Sequence, residues 1–143
     1  MEKQPNNIAL IHRIAVIYQD DVKDLTQALT YLSMGRKNFK SYMTGLYGEA
    51  FELMMNPAFV HDIYFDVFER RAAVNMALQK WEDAEKDCSW AIVLRPQLPD
   101  AYYHRALIAQ KLGKEERTCE DLKKAETLGH PKAKVQRRRK CNA

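Results

Sequence analysis

Apolar residues recur at steps of three and four along most of this chain, the spacing that places side chains on one face of an α-helix. In the first third, the pattern predicts two helices, whose apolar positions are Ile8, Ile11, Ile14, Ala15 and Tyr18, then Leu25, Ala28, Leu29, Leu32 and Met34. Asn6 or Asn7 can cap the first helix. Gly35 and Asn38 are expected to end the second helix.

A third apolar stripe is rich in aromatic residues and methionine. It predicts a helix with apolar positions Phe39, Tyr42, Met43, Leu46, Tyr47, Ala50, Phe51 and Met54. Gly45 and Gly48 lie inside it, each unfavourable by roughly 1 kcal/mol relative to Ala, and they would allow close packing or a kink. Asn56-Pro57 should end this helix, because proline disfavours helical geometry in the residue before it. We interpret the stripe as core, with docking of a partner helix or a second copy as the alternative.

Two stretches of the second half repeat each other at a spacing of 34 residues. The matched pairs are Phe68/Tyr102, Arg71/Arg105, Ala72/Ala106, Leu78/Leu112, Lys80/Lys114, Glu82/Glu116, Asp87/Asp121, Ala91/Ala125 and Leu94/Leu128. The predicted helices are Asp62–Leu78, Glu82–Leu94, Pro99–Leu112 and Glu115–Leu128, followed by a short one near Lys132–Arg139 that Pro131 can start. A repeat of this length predicts an all-α, antiparallel helix-turn-helix solenoid of about seven or eight helices.

At these positions the chain resembles the tetratricopeptide repeat (TPR) family, whose unit has 34 residues with large and small side chains at fixed places. Phe68 takes the aromatic place, and Ala72, Ala84 and Ala91 take small places where helices cross. The resemblance implies one domain made of a degenerate repeat (6–37), an irregular helical insert (38–64), two clear repeats (65–98 and 99–131) and a capping helix with a basic tail (132–143). The segment Lys124–Ala133 also resembles the helix junction of Sel1-like repeats.

Two charged pairs recur with the repeat. Arg71 precedes Asp87 by sixteen residues, and Arg105 precedes Asp121 by the same interval, so each pair is expected to meet across one helical hairpin. We interpret them as structural, contributing about 0–1 kcal/mol each if they are exposed.

The resemblance also implies a function. TPR stacks line a concave groove with the first helix of each unit, which here gives candidate partner-binding residues His12, Tyr18, Asp66, Glu69, Arg70, Met76, Tyr103, His104, Leu107 and Lys111. Chaperone-binding members hold a carboxylate with a lysine, asparagine and arginine clamp. Glu69, Ala73, Tyr103 and Leu107 occupy the matching positions, so that clamp is not expected here. We predict a protein-interaction scaffold or adaptor that binds a segment with apolar anchors.

Catalytic and metal-binding patterns are not found in the sequence. The four histidines have no second His or Cys three to five residues away, so no zinc motif is formed. Neither a phosphate-binding loop nor a hydrolase motif is present, and we predict no enzyme activity and no cofactor. No apolar run is long enough to span a membrane. An odd count of three cysteines without a C-x-x-C pair predicts reduced thiols, with Cys141 in a frayed tail, in a cytoplasmic protein.

The net charge of +4 is unevenly distributed. The C-terminal segment is strongly basic and ends in the run Arg137, Arg138, Arg139 and Lys140. A solvated helix end is the main interpretation, because positive charge is favoured there. The alternative function is that of a nucleic-acid-associated accessory protein acting through this tail. Completion of the short stack by a homodimer is a further alternative.

Overall fold

The structure, a computed structural model, describes residues 7–141 of the chain. Within that range it contains eight α-helices, which are α1 (Ile8–Val16), α2 (Leu25–Tyr47), α3 (Phe51–Met54), α4 (Asp62–Ala77), α5 (Trp81–Leu94), α6 (Pro99–Lys111), α7 (Glu115–Thr127) and α8 (Ala133–Lys140). A π-helical turn, Ile17–Val22, extends α1, and a 3-10 turn, Pro57–Phe59, precedes α4. Asn7 caps α1 by accepting a hydrogen bond from the Leu10 backbone N–H. Asn6, the other predicted cap, lies outside the described residues.

The helices form a stack of antiparallel hairpins, as the repeat predicts. α1 pairs with α2, α4 with α5 and α6 with α7, while α2 also contacts α4, α5 contacts α6, and α8 packs on α7. The predicted small residues at the crossings are fully buried or nearly so, and they are Ala72, Ala84, Ala91, Ala106 and Ala125. Their size allows the helix backbones to approach closely. None of the helices in the described range is both long and apolar enough to cross a bilayer.

The predicted end of the second helix is wrong, because α2 continues unbroken through Gly35 and Asn38 to Tyr47. Gly35 is buried against α4, where a Cβ atom would lie 3.0 Å from Val67 Cγ1. This glycine therefore allows two helices to pack closely and does not terminate α2. Ala28 and Leu32, which precede Gly35 on α2, are fully buried. Ala28, Leu32 and Gly35 have the same spacing as Ala84, Cys88 and Ala91 on α5.

The predicted third helix is also wrong as a single element. Gly48 has a positive φ of 82° and ends α2, and the four-residue helix α3 follows after a short turn. Gly45 lies inside α2 with open space around it. The apolar stripe of residues 39–54 is thus divided between the end of α2 and α3. Its interpretation as core is right for Phe39, Met43 and Phe51, which lie in one buried cluster. It is wrong for Tyr42, Leu46 and Met54, which are exposed.

An aromatic cluster fills that core. Phe39 is 2% exposed, and its ring contacts those of Phe51, Tyr64, Phe68 and Trp90 at centroid distances of 5.2–6.1 Å. Such edge and tilted contacts add to the burial of apolar area. The segment that departs from the repeat is therefore held to the first clear repeat by aromatic packing.

The two predicted charged pairs are formed, and they are buried. Arg71 Nη1 lies 2.7 Å from Asp87 Oδ1, and Arg105 donates two hydrogen bonds of 2.8 Å to Asp121. The two aspartates are 0% and 4% exposed, so the small energy expected of exposed pairs does not apply. In both hairpins the arginine joins the first helix to the second.

The expectation of three reduced cysteines is wrong. Cys119 on α7 and Cys141 after α8 form a disulfide with a Cα–Cα distance of 5.8 Å, and Cys88 is the free, buried cysteine among the described residues. Cys141 is consequently not in a frayed tail, because the bond fixes the end of α8 to α7. Structural disulfides are typical of oxidising environments.

Candidate functional site

The first helices of the three hairpins, α1, α4 and α6, contribute polar side chains to one surface, which we call the first-helix face. His12 of α1 contacts Asp66 of α4, and the Asp100 carboxylate of α6 lies close enough to Glu69 to alter its pKa. The face therefore crosses all three hairpins. It carries most of the residues predicted to bind a partner.

A charged network occupies the α1 side of this face. Asp66 accepts a 2.8 Å hydrogen bond from Arg70 Nε and contacts His12 Nε2, while Arg70 Nη1 reaches Asp20 and Gln19 at 3.1 Å. Burial alone would raise the pKa of Asp66, but the hydrogen bonds from His12 and Arg70 outweigh it and lower this pKa. The Asp66 carboxylate is therefore ionised at neutral pH and pairs with His12 and Arg70.

On the α6 side of the face, burial and nearby charges shift the pKa values of two side chains, Glu69 and His104. Burial, followed by the nearby charges of Asp100 and Asp66, raises the pKa of Glu69 to about 7. Burial lowers the pKa of His104, the Asp100 charge opposes this effect and His130 adds to it. Both side chains thus favour their neutral forms in the folded protein.

Two predicted binding residues are engaged in packing. The Tyr103 ring stacks on His130 with centroids 4.0 Å apart and is 8% exposed. Tyr18 stacks on Tyr31 of α2 at 5.6 Å. Their rings help to hold α1 on α2 and α6 on the turn before α8, and little of Tyr103 is left to contact a partner.

The remaining predicted residues lie at the edges of hydrophobic clusters. Met76 packs beside Cys88 and Leu107 packs beside Tyr103, both partly buried. The Lys111 ammonium lies 5.8 Å from the centre of the Trp81 ring, a cation–π contact. The structure therefore brings together His12, Asp66, Glu69 and Arg70, whereas Met76, Leu107 and Lys111 contact other groups.

The sequence reasoning missed the partners of these groups. Asp20 and Gln19 lie in the π-helical turn, Asp100 begins α6, and His130 follows α7. No periodic pattern marks Gln19, Asp20 or His130, because each lies in a turn or after the end of a helix. Asp100 lies 34 residues after Asp66, so the repeat alone predicts only that the two carboxylates lie on the same side of neighbouring units.

The basic tail is a folded helix. Within α8, Arg137 forms an ion pair with Glu126 of α7, and Arg138, Arg139 and Lys140 are exposed. The described residues contain no group of three or more His, Cys, Asp or Glu side chains that could hold a metal ion.

No protein-family model matches the chain. Over 107 residues it is 28% identical to the mitochondrial import receptor subunit TOM70 of Homo sapiens, and 27% identical to the protein of that name from Rattus norvegicus. These matches cover 71% of this chain but only 17% of each relative. The chain thus spans about a sixth of the length of these curated relatives.

Two solved structures are similar over nearly the whole chain. One is the Arabidopsis OM64 TPR domain, with a TM-score of 0.69 and 18% identity, covering 94% of this chain and 93% of that one. The other is the first TPR of Spaghetti (RPAP3) bound to the HSP90 peptide SRMEEVD, with a TM-score of 0.67 and 20% identity, covering 95% and 91%. The Sel1-like resemblance of the C-terminal end and the proposed repeat boundaries stay predictions. The protein has the all-α fold of tetratricopeptide repeat domains.

Proposed function

We propose that this chain is a non-enzymatic interaction module that binds a segment of a partner protein on the first-helix face. The observation that carries the proposal is the set of polar groups His12, Asp66 and Arg70, which the fold holds on one face of adjacent hairpins. Preorganised groups lose little conformational freedom on binding. The Spaghetti domain, of similar fold, was solved with a peptide, and the curated relatives are named as receptors.

The charges of the face indicate which partners it disfavours. Glu69 occupies a place where the resemblance would put a clamp residue, and Asp66 and Asp100 lie near it. The nearest guanidinium, that of Arg70, already pairs with Asp66 and Asp20. A terminal carboxylate would meet like charge here, so we expect no binding of the SRMEEVD peptide on this face.

A blocking substitution tests the proposal. Ala73 is exposed on α4, one helical turn after Glu69, so Ala73→Arg adds a bulky side chain to the face without removing a contact. Thr30→Arg, at an exposed site on α2, is the matched control. Immobilised wild-type protein and both variants are incubated with a lysate, and the retained proteins are identified by mass spectrometry.

We expect one retained protein to be common to the wild type and Thr30→Arg and lost with Ala73→Arg. Circular dichroism spectra of the three proteins should agree, which separates blocking from unfolding. If Ala73→Arg retains the same proteins as the control, the first-helix face is not the binding site.

The nucleic-acid alternative has weaker support. Arg137 already pairs with Glu126, and the exposed charges of Arg138, Arg139 and Lys140 occupy only the last turn of α8. Binding through them should weaken steeply with salt, since it depends on phosphate contacts.

A further inference from the structure

Two adjoining cavities open beside Trp90, away from the first-helix face. Their volumes are about 340 and 550 Å³, and both are lined by Arg36, Glu52 and Trp90. Protein pockets for specific ligands are typically about 300–1,000 Å³. The walls come mainly from α2, α3 and α5, with Arg117 of α7 at the far end of the larger space. We call the joined space the Trp90 cavity.

The floor of the Trp90 cavity is aromatic. The Trp90 ring stacks on Phe51 and Phe68, with centroid distances of 6.0 and 5.8 Å and interplanar angles of 18° and 19°. The edge of Phe39 completes the group at 5.4 Å. The three phenylalanines are only 1–4% exposed, so the partly buried Trp90, which lines both cavities, supplies most of the accessible aromatic surface while these neighbours fix its position. Such a rigid apolar surface can receive an aromatic or large aliphatic group at little entropic cost.

The rim is positively charged. Arg36, Lys37 and Lys40 lie within five residues of α2 and line the smaller cavity, all three are exposed, and none forms a salt bridge with another described residue. Lys86 and Arg117 line the larger part. Like charges at positions 36 and 40 of one helix repel each other, so an anion between them would be stabilising.

Few acidic groups oppose this charge. The acidic lining residues are Glu52 and Glu85, and Glu85 accepts a 2.7 Å bond from Lys114. The buried Asp87 lies near enough to Arg36 for their charges to interact, but its carboxylate is already paired with Arg71. The remaining excess of cations favours carboxylates, which arginine can bind through two hydrogen bonds. An aromatic floor under a cationic rim is complementary to a ligand that is apolar at its centre and acidic at its edges.

We propose that the Trp90 cavity binds an acidic segment of a partner protein, which inserts one large apolar side chain against Trp90 and directs its carboxylates to Arg36, Lys37 and Lys40. Leu53 and Val93, 89% and 46% exposed, add apolar surface to the lining of the larger cavity. This extent fits a chain segment. None of the residues predicted for the first-helix face lines the cavity, so the two sites are independent.

The test uses the full chain with Trp81→Phe, which leaves Trp90 as the single tryptophan. The probe is the blocked peptide acetyl-Glu-Glu-Phe-Glu-Glu-amide, and its charge-reversed control is acetyl-Lys-Lys-Phe-Lys-Lys-amide. Binding is followed by Trp90 fluorescence and by calorimetry. Arg36→Glu with Lys40→Glu reverses the rim, and Lys123→Glu with Lys124→Glu, at exposed sites of α7 outside the cavity, changes the net charge equally.

We expect the acidic peptide to change Trp90 emission and to bind the rim variant at least about tenfold more weakly than the α7 variant. Affinity should also fall as NaCl rises from about 50 to about 300 mM. Thermal unfolding shows whether both variants are folded. The proposal is overturned if the acidic peptide does not bind, if the lysine peptide binds equally well, or if the two variants bind alike. Because Ala73→Arg leaves the cavity intact, it should not affect this peptide, which separates failure here from failure of the first-helix site.

Discussion

The hairpins α4–α5 and α6–α7 have the same backbone but expose different chemistry. Their turns are nearly identical, with the Lys80 backbone N–H donating to Asn75 O at 2.8 Å and that of Lys114 donating to Ala109 O at 2.9 Å. Away from the helix crossings they diverge, since the partly buried Glu69 and Trp90 correspond to the buried Tyr103 and the exposed Lys124. Packing at helix crossings thus constrains the inward residues, while the outward ones are free to form sites.

The buried ion pairs allow the strongest test of this comparison. Asp87 is 0% exposed and accepts hydrogen bonds from Arg71 and from Asn75 at 2.9 Å, whereas Ala109 provides no such donor to Asp121. Removing one partner of a buried pair typically costs about 3–5 kcal/mol, because the other charge stays buried. In urea unfolding, we expect Asp87→Ala to lower the free energy of unfolding by an amount near the top of that range. Asp121→Ala should lower it by an amount near the bottom.

Glu120→Ala provides the control for these two variants, because it removes an exposed acid from α7 and should have little effect on the free energy of unfolding. A loss of less than about 1 kcal/mol for Asp87→Ala would contradict the structural role of the pair.

The disulfide is a feature that only the second hairpin has, because Glu85 occupies the place of Cys119 in the first. A bond that closes a loop of 22 residues is expected to contribute about 3 kcal/mol by restricting the unfolded chain. Cys119→Ser should therefore lower the free energy of unfolding by about that amount. Hydrogen exchange should show the largest loss of protection in α8.

Reductant provides the control for this prediction. It should destabilise the wild type to the level of Cys119→Ser and leave that variant unchanged. If reductant has no effect on wild-type unfolding, the bond does not form in solution.

The turns provide a finer comparison. Gln79 adopts φ 59° where the second repeat has Gly113 at φ 73°, and a left-handed conformation costs a non-glycine residue about 1 kcal/mol. We expect Gln79→Gly to stabilise the protein by about 0.5–1 kcal/mol and Gly113→Ala to destabilise it by a similar amount.

Gln79→Ala is the discriminating control for the turns, measured with the other two variants in urea. Gln79→Ala retains a Cβ atom, so its free energy of unfolding should increase little. A gain equal to that of Gln79→Gly would show that the conformation is not the cause.

The same comparison explains how much could be predicted from the sequence. The helices α4–α7 were predicted to within one residue at each end, because periodicity and the repeat agree there. The end of α2 was wrongly predicted at Gly35, because a glycine can either end a helix or allow close packing. Only the contact of Gly35 with Val67 on α4 distinguishes the two roles. The Cys119–Cys141 bond depends on α8 folding back onto α7, and the Trp90 cavity on α3 closing over α2 and α5. Neither arrangement has a local sequence signal.

The partner-binding groove stays a prediction, and the contacts of its candidate residues could be predicted only in part, because many of them join distant segments. His12 and Asp66 are 54 residues apart, and their contact depends on how α1 lies beside α4. The first-helix positions follow from the repeat, but Tyr103 was expected to face a partner and instead stacks on His130. Helical periodicity assigns a face, and it does not indicate which side chains on that face remain accessible.

The smallest predicted effect concerns Glu69, which Tyr103 replaces in the second repeat. Its pKa in the folded protein is about 7, above the ordinary 4.5, so the folded state favours the protonated carboxyl. That stabilisation is complete below the ordinary pKa and is lost as the pH rises through the folded pKa. Glu69→Gln stays neutral, so its melting temperature relative to the wild type should increase from about pH 5 to about pH 8. Glu120→Gln, which changes an exposed acid, is the control and should show no such trend. If the difference in melting temperature between Glu69→Gln and the wild type does not change with pH, the pKa of Glu69 is not raised.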